Sequence, residues 1–441
     1  MRRLLFAGLA FIALALGLRA DAPNVFAIRG ARIVTAAGPP IDSGTIVIRR
    51  GTIDAVGASV NVPADAMVIE GAGMTVYPGL IDLGNRRAAD QGIPATPQNF
   101  RTTAEAERWK RMQILKPQAR AADTVRVDDA ELTRMASAGM TSVLALPAGD
   151  VISGQSALVN VAAPPDEAQI GNIVELRRGL IVVKTPVAVH VSFPNQPRAG
   201  GNAYPNSLMG VIAFVRQAFL DAQHYRVEKS DDPAMEALQP AIDGRMPVAF
   251  EANQAREILR TLKLAQELKL QPIVTGGRDA AEVAADLKSQ NVRLIYSLDF
   301  PQRPRALAPD ADETLDALKT RAAAPKAPAE LARAGVTFAF ESAGLTDPKD
   351  FVKNAAKAVK AGLPEDAAIR ALTITAATIA GAGDRLGSLE KGKIANLIVT
   401  DGNLFDERTK ITRVFVDGRS IALDAAPAAA SGRGRGRGGQ N

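Results

Sequence analysis

Short apolar segments alternate with helical segments along the middle of this 441-residue chain, and this alternation constrains the fold more than any other feature. The helical segment 255–268 has four apolar residues on one face: Ile258, Leu259, Leu262 and Ala265. A strand–helix alternation of this kind predicts an α/β fold with parallel strands. The strand candidates are 141–146, 180–183, 247–250, 272–275, 292–296 and 336–340.

Two further helices can be placed from local signals. One is predicted to begin at Asp347 and Pro348, because aspartate caps helix N-termini and proline favours the first helical position. Gly362 is expected to follow its last residue. The region 193–245 is longer than an ordinary βα connection and contains a predicted helix over 208–225. We expect this region to be an insertion over the carboxyl ends of the strands.

Both ends of the chain are rich in short strands and turns. Residues 25–73 contain β-branched and aromatic runs separated by glycine and proline, and similar runs return at 392–399 and 414–419. These segments predict a small antiparallel β unit beside the α/β body.

The N-terminus has the pattern of a secretory signal. Arg2 and Arg3 precede an apolar run of 15 residues at 4–18. As a helix this run would span ~23 Å, which is less than the ~30 Å hydrocarbon core of a membrane. We therefore expect a signal peptide, 1–20, cleaved after Ala20, and a periplasmic or secreted protein with no membrane span. An uncleaved anchor is the alternative.

The chain has no cysteine, which excludes disulfides and thiolate metal sites. Its formal net charge of +6 arises at the two ends, from the arginines of the signal and of the Gly-Arg tail. The neutral body gives no electrostatic reason to expect nucleic acid as a partner. The tail, 425–441, is expected to be disordered.

One motif carries a resemblance to a known family. The segment 74–86 reads Met-Thr-Val-Tyr-Pro-Gly-Leu-Ile-Asp-Leu-Gly-Asn-Arg. It resembles the first barrel strand of the amidohydrolase superfamily, where the wording is close to YPGLIDxHxH. The segments 386–399 and 414–419 resemble that family's last strands. The resemblance covers about 24–424 and is closest to the imidazolonepropionase-like branch.

The resemblance implies a (β/α)8 TIM barrel over 78–384, interrupted by the insertion 193–245. It also implies a small β-sandwich formed from both chain ends, 21–77 and 385–424. Members of this branch hydrolyse C–N bonds in cyclic amides, dipeptides and related compounds. They use a divalent metal that polarises a carbonyl and activates water.

The family's metal centre usually needs four histidines, and this chain has two, His190 and His224. The usual centre cannot be assembled from them, so no metal cofactor is expected. An oxygen-only site formed by Asp82, Glu251 and Glu341 is the alternative, and it would suit Mg²⁺, Ca²⁺ or Mn²⁺. The residues that match the family's ligand positions are Gly84, Arg86, Glu251, Gly276 and Ala343.

Three acidic residues are candidates for catalysis at the mouth of the predicted barrel: Glu251, Glu341 and Asp82. We predict that the Arg86 guanidinium occupies the space of the lost cation and pairs with Glu251. An unpaired buried carboxylate is costly, and arginine is always charged.

Five residues are candidates for a ligand pocket: Arg86, Lys184, His190, Gln155 and Arg278. A structural role is the alternative for three of them. His190 would be hydrogen-bonded in the core, Lys184 would form an ion pair, and Gln155 would belong to a tight turn.

Three functions are compatible with these residues. The first is an exported C–N hydrolase of the amidohydrolase family whose metal chemistry is lost or altered. The second is a non-catalytic ligand-binding or partner subunit, either a homo-oligomer or assembled with a metal-competent relative. The third is a metal-free hydrolase with two carboxylates, such as Glu251 and Glu341, ~5–10 Å apart.

Overall fold

The computed structural model describes residues 25–89, 99–125, 127, 129–162, 181–197, 203–228, 231–308 and 310–423. The predicted signal peptide and the predicted tail lie outside these residues. No helix within the described ranges is both long enough and apolar enough to cross a membrane.

Strands from both ends of the chain form one mixed eight-stranded sheet. They are β1 (Val25–Ile33), β2 (Ile41–Arg49), β3 (Thr52–Gly57), β4 (Met67–Glu70), β5 (Thr75–Pro78), β16 (Leu397–Thr400), β17 (Ile411–Val416) and β18 (Arg419–Ile421). β5 joins the two ends because it pairs parallel with β1 and antiparallel with β16. Phe26 and Phe415 meet in the core of this sheet with ring centroids 5.1 Å apart. The predicted joining of the chain ends is therefore present.

The middle of the chain forms two more sheets in a TIM-barrel-like α/β arrangement. Their strands are β6 (Leu80–Asn85), β7 (Met140–Ala145), β8 (Ile152–Gln155), β9 (Ala157–Asn160), β10 (Ile181–Lys184), β11 (Val189–Val191), β12 (Val248–Ala252), β13 (Pro272–Gly276), β14 (Arg293–Ser297) and β15 (Phe338–Glu341). β6 is parallel to β7, and β11 to β15 are parallel in sequence order.

The two sheets are connected through β8 and β9. These strands follow one another with Ser156 between them, and they pair antiparallel with β11 and β7 respectively. At the other edges, Asn85 forms a parallel bridge with Ala343. The segment 180–183, predicted as a parallel strand, is instead β10, which pairs antiparallel with β9.

Helices pack around the strands. They are α1 (Thr103–Ile114), α2 (Ala121–Thr124), α3 (Asp129–Ser137), α4 (Leu208–His224), α5 (Pro233–Ile242), α6 (Ala255–Glu267), α7 (Ala284–Ser289), α8 (Leu315–Ala323), α9 (Ala327–Arg333), α10 (Lys349–Lys360), α11 (Glu365–Leu372) and α12 (Ile374–Ile379), with a 3₁₀ turn at Ala280–Val283.

The helix predicted to begin near Asp347 is α10, and the Asp347 carboxylate accepts the Lys349 N–H at 3.0 Å. α6 begins with a capping box formed by Gln254 and Glu257. Its predicted apolar face is buried except for Leu259, which is 42% exposed.

The two helices of the region 193–245 do not lie over the strand ends. The buried faces of α4 and α5 pack against the outward residues of β11 and β12, as Phe219 and Leu238 do against Val248 and Phe250. These two helices therefore belong to the outer helical layer. Their apolar faces exclude water best against the strands, and within the described part of this region Phe193, Pro194 and Gln196 reach the cavity at the strand ends.

Candidate functional site

A cavity of about 600 Å³ opens at the carboxyl ends of the strands. Its position follows from strand alternation. Ala249, Ile273, Ile295 and Ala339 point into a shared apolar interior together with residues of β6, β7 and β9. The residues two positions later point to the same side and line the cavity: Glu251, Thr275, Ser297 and Glu341. Active sites of TIM barrels occupy this end of the strands.

Arg86 and Glu251 form an ion pair inside the cavity. The Arg86 Nη2 lies 3.2 Å from the Glu251 Oε2, and the two side chains are 52% and 46% exposed. The predicted pairing is confirmed. Half-exposed pairs contribute at most about 1 kcal/mol to stability, so the pair affects the electrostatics of the cavity more than the folding.

Glu341 lies beneath this pair and is 7% exposed. Its Oε1 accepts the Gly276 N–H at 3.1 Å. Burial, reinforced by the negative charges of Glu251 and Asp82, raises the pKa of Glu341 well above its usual value, and Arg86 only partly opposes this. Burial and the neighbouring carboxylates therefore favour the protonated, uncharged form of this carboxyl.

The Glu341 side chain also fills the space next to Gly84, a family ligand position. A Cβ built on Gly84 would lie 2.6 Å from the Glu341 Cβ, a distance that real side chains do not tolerate. The buried glutamate at 341 therefore packs in this position only because residue 84 has no side chain.

Asp82 is completely buried and does not line the cavity. Its Oδ1 accepts the N–H groups of Gly84 at 3.1 Å and Ser342 at 2.7 Å. Its Oδ2 accepts from the Asn85 amide at 3.1 Å and the Ser342 hydroxyl at 2.7 Å. These four hydrogen bonds tie the end of β6 to the end of β15. The geometry gives Asp82 a structural position rather than access to a ligand.

His190 lines the cavity from β11. Burial, with the positive charge of Arg86 as the smaller cause, lowers the pKa of His190 to about 4. The imidazole is therefore neutral at pH 7. Its Nε2 is buried and has no hydrogen-bond partner among the described residues.

The other three pocket candidates differ in position. Arg278 lines the cavity, and its Nε pairs with Asp279 at 3.0 Å. Gln155 lies at the end of β8 and donates to the Pro117 carbonyl at 3.0 Å, outside the cavity lining. Lys184 is also outside the lining, beside Gly381. The structure therefore gathers three of the five candidates at the cavity, Arg86, His190 and Arg278, and leaves two elsewhere.

Sequence reasoning missed four charged residues of the cavity wall: Asp150, Glu257, Arg260 and Asp299. Arg260 projects from α6, where the helical pattern indicates an ordinary solvent-facing arginine. Asp299 follows β14, and burial raises its pKa. A polar residue just after a predicted parallel strand is the one signal that points to Asp299.

The residues at the cavity do not fit the family's metal. Among the described residues, no three His, Cys, Asp or Glu side chains converge in a geometry that could hold an ion. Gly84, Gly276 and Ala343 offer no side-chain ligand atom, and Arg86 brings a fixed positive charge to the remaining carboxylate.

The chain was compared with known proteins. Residues 226–421 match the sequence model of the Amidohydrolase family. The chain is 22% identical over 406 residues to the amidohydrolase tasK of Hapsidospora irregularis. These matches support the amidohydrolase superfamily. The match to tasK covers 85% of this chain and 39% of that relative's length.

Solved structures support the fold. The amidohydrolase from Thermotoga maritima superposes with a TM-score of 0.72 at 22% identity, over 90% of this chain and 99% of that one. A Xaa-Pro dipeptidase with methionine bound in its active site gives a TM-score of 0.53 at 16% identity, over 90% and 99%. At such identities the likeness establishes the architecture alone.

Proposed function

We propose that this amidohydrolase-family protein binds a small organic molecule in the cavity at the strand ends and has lost its family's metal-dependent hydrolysis of C–N bonds. The observation that carries the proposal is the Arg86–Glu251 ion pair, which lies within the cavity. A guanidinium supplies a positive charge, but it has no coordination position at which water could be activated.

The size and lining of the cavity support binding. About 600 Å³ is within the range of small-molecule sites. The wall combines apolar surface from Leu146, Phe193 and Phe300 with polar groups from Arg86 and His190. Such a mixture buries the body of an organic ligand and fixes its orientation through a few polar contacts.

The proposal extends to the architecture and to the compartment. We infer a complete (β/α)8 barrel of the imidazolonepropionase-like branch with a terminal β-sandwich, supported by the Asn85–Ala343 bridge and the shared terminal sheet. We also infer export to the periplasm or medium, supported by the basic start and apolar run at 2–18. Cell fractionation tests export, and retention in the cytoplasm would contradict it.

A metal-free hydrolase is the second candidate, and one observation favours it. Burial at the cavity raises the pKa of Glu341, which favours the protonated form that a general acid needs. Glu251 would have to act as base or nucleophile, and its pairing with Arg86 at 3.2 Å weakens it for both roles. This pairing ranks ligand binding above hydrolysis.

The deciding experiment measures the metal content of the purified mature protein by mass spectrometry after dialysis with Zn²⁺, Mn²⁺ and Mg²⁺. We expect far less than one metal per chain, with or without Glu251→Gln. A thermal-shift screen of small organic molecules should then find ligands that raise the melting temperature of the wild type and not of R86M.

Glu267→Gln is the matched control. Glu267 pairs with Arg216 on the surface at 2.6 Å, with similar exposure of both side chains and no contact with the cavity. Near-stoichiometric metal that disappears in E251Q and stays in E267Q would overturn the proposal and return the protein to hydrolase assays.

A further inference from the structure

One arginine of the cavity wall lacks an acidic partner. Arg86 pairs with Glu251 and Arg278 pairs with Asp279. Arg260 is in no ion pair with any described residue, and its Nε is buried without a hydrogen-bond partner. Buried polar groups are almost always hydrogen-bonded, so such an atom in a cavity wall indicates a position where a ligand supplies the missing acceptor.

The guanidinium of Arg260 is held in place by aromatic stacking. It lies over the Phe193 ring at 5.7 Å from the centroid. Phe193 stacks in turn on Phe250, with centroids 6.1 Å apart and planes 5° from parallel. A cation over an aromatic face is stabilised without neutralisation of its charge. Arg260 is therefore held in place and keeps its positive charge.

A second unsatisfied nitrogen lies on the same wall. His190 and Phe193 belong to the segment at the end of β11, and the His190 Nε2 is buried without a partner. The two groups belong to different elements, β11 and α6, and both line the cavity. Glu257, one turn before Arg260 on α6, is engaged with the backbone N–H groups of Asn253 and Gln254, both at 2.9 Å.

We propose that Arg260 binds the oxyanion group, a carboxylate or a phosphate, of the small molecule that occupies this cavity. The inference rests on the proposed ligand-binding function. Guanidinium groups bind both kinds of oxyanion through two parallel hydrogen bonds. His190 supplies a further contact to the same group, and the apolar wall at Phe193, Pro194 and Phe300 accommodates the organic part.

The test uses acetate and inorganic phosphate as separate probes on the full mature protein, dialysed against EDTA. Calorimetric titrations run up to roughly 50 mM probe at constant ionic strength, so that screening of surface charge is the same throughout. We expect one probe to bind with saturation. Saturation by acetate alone indicates a carboxylate ligand, and saturation by phosphate alone indicates a phosphate ligand.

Arg260→Met should weaken that binding by at least about tenfold, because it removes a charge-assisted bidentate contact. Arg260→Lys should retain part of it, because the charge stays while the fork geometry is lost. Arg216→Met is the matched control, since it removes an arginine of the neighbouring helix that pairs with Glu267 outside the cavity. Circular dichroism of all variants establishes that they are folded.

Two results overturn the assignment of Arg260: saturation by neither probe, or equal binding by metal-free wild type and R260M. A different result addresses the proposed function itself. If a probe binds only after Zn²⁺ or Mn²⁺ is added, a metal site holds the anion. The proposal that the cavity binds its ligand without a metal is then wrong.

Discussion

Glu341→Gln should stabilise the protein relative to wild type by an amount that grows with pH. Glu341 is 7% exposed, and burial together with nearby carboxylates raises its pKa well above the usual value. A glutamine has the shape of the protonated side chain and still accepts the Gly276 N–H. It has no proton to lose when the pH rises.

The magnitude follows from proton linkage. In the unfolded chain a glutamate ionises near pH ~4.3, whereas the folded protein keeps the Glu341 proton to higher pH. Between these limits unfolding releases one proton, and the free energy of unfolding falls by about 1.4 kcal/mol per pH unit from this group. The stabilising contribution is complete below ~4.3 and is lost as the pH rises through the folded pKa.

Glu341→Gln lacks this loss, so its advantage over wild type should increase by about 1.4 kcal/mol per pH unit until Glu341 ionises in the folded state. Burial also raises the pKa values of Asp82, Asp299 and Asp417. These residues are present in both proteins, and their contributions cancel in the difference.

Urea unfolding at roughly pH 5 to 8 and constant ionic strength measures that difference. Glu267→Gln is the control, because Arg216 lowers the pKa of Glu267 and the carboxylate is ionised in both states across this range. Its difference from wild type should stay constant. Parallel pH curves for E341Q and wild type would refute the claim that Glu341 is protonated in the folded protein.

Two further predictions concern the same group of residues. Arg86→Met should raise the pKa of His190 from about 4, though not to 6.5, because burial is the larger cause of the low value. A histidine NMR titration measures this pKa, with His224 as the one other histidine signal. An unchanged pKa of His190 would contradict the charge effect of Arg86. Gly84→Ala should destabilise the protein by about 1–3 kcal/mol, since the alanine Cβ would lie 2.6 Å from the Glu341 Cβ. Urea unfolding at pH 7 measures this loss, and wild-type stability of the variant would contradict the packing argument.

The parallel strands could be predicted because both of their faces are buried. A run buried on both sides is apolar along its whole length, so 272–275 and 292–296 identify β13 and β14 within one residue at each end. The direction of β10 could not be predicted, because a strand's direction depends on which edge it pairs with. β10 pairs with β9, whose own antiparallel position depends on β7 and β11.

Some residues of the candidate site could likewise be predicted from the sequence, and others could not. Arg86 and Glu251 follow from the register of a motif and a strand, and the structure brings them together. Asp82 was misjudged because β6 has a register shift between Asp82 and Asn85, and a shift of one residue changes the side to which a side chain points. Arg260 could not be found, since no helical pattern shows that one arginine of an exposed face stacks on a distant phenylalanine.

The residues that stand at the family's ligand positions at the strand ends form one coupled set, rather than a series of independent ligand losses. Glu341 occupies the space that a side chain at 84 would need, and its burial favours its uncharged form. Glu251 is the acid that pairs with Arg86. Restoring one ligand would therefore meet a steric conflict at 84 or a charge conflict at 86. If the proposed loss of the metal is correct, single substitutions will not bring back a metal centre, and the arrangement is stable because each residue depends on the others.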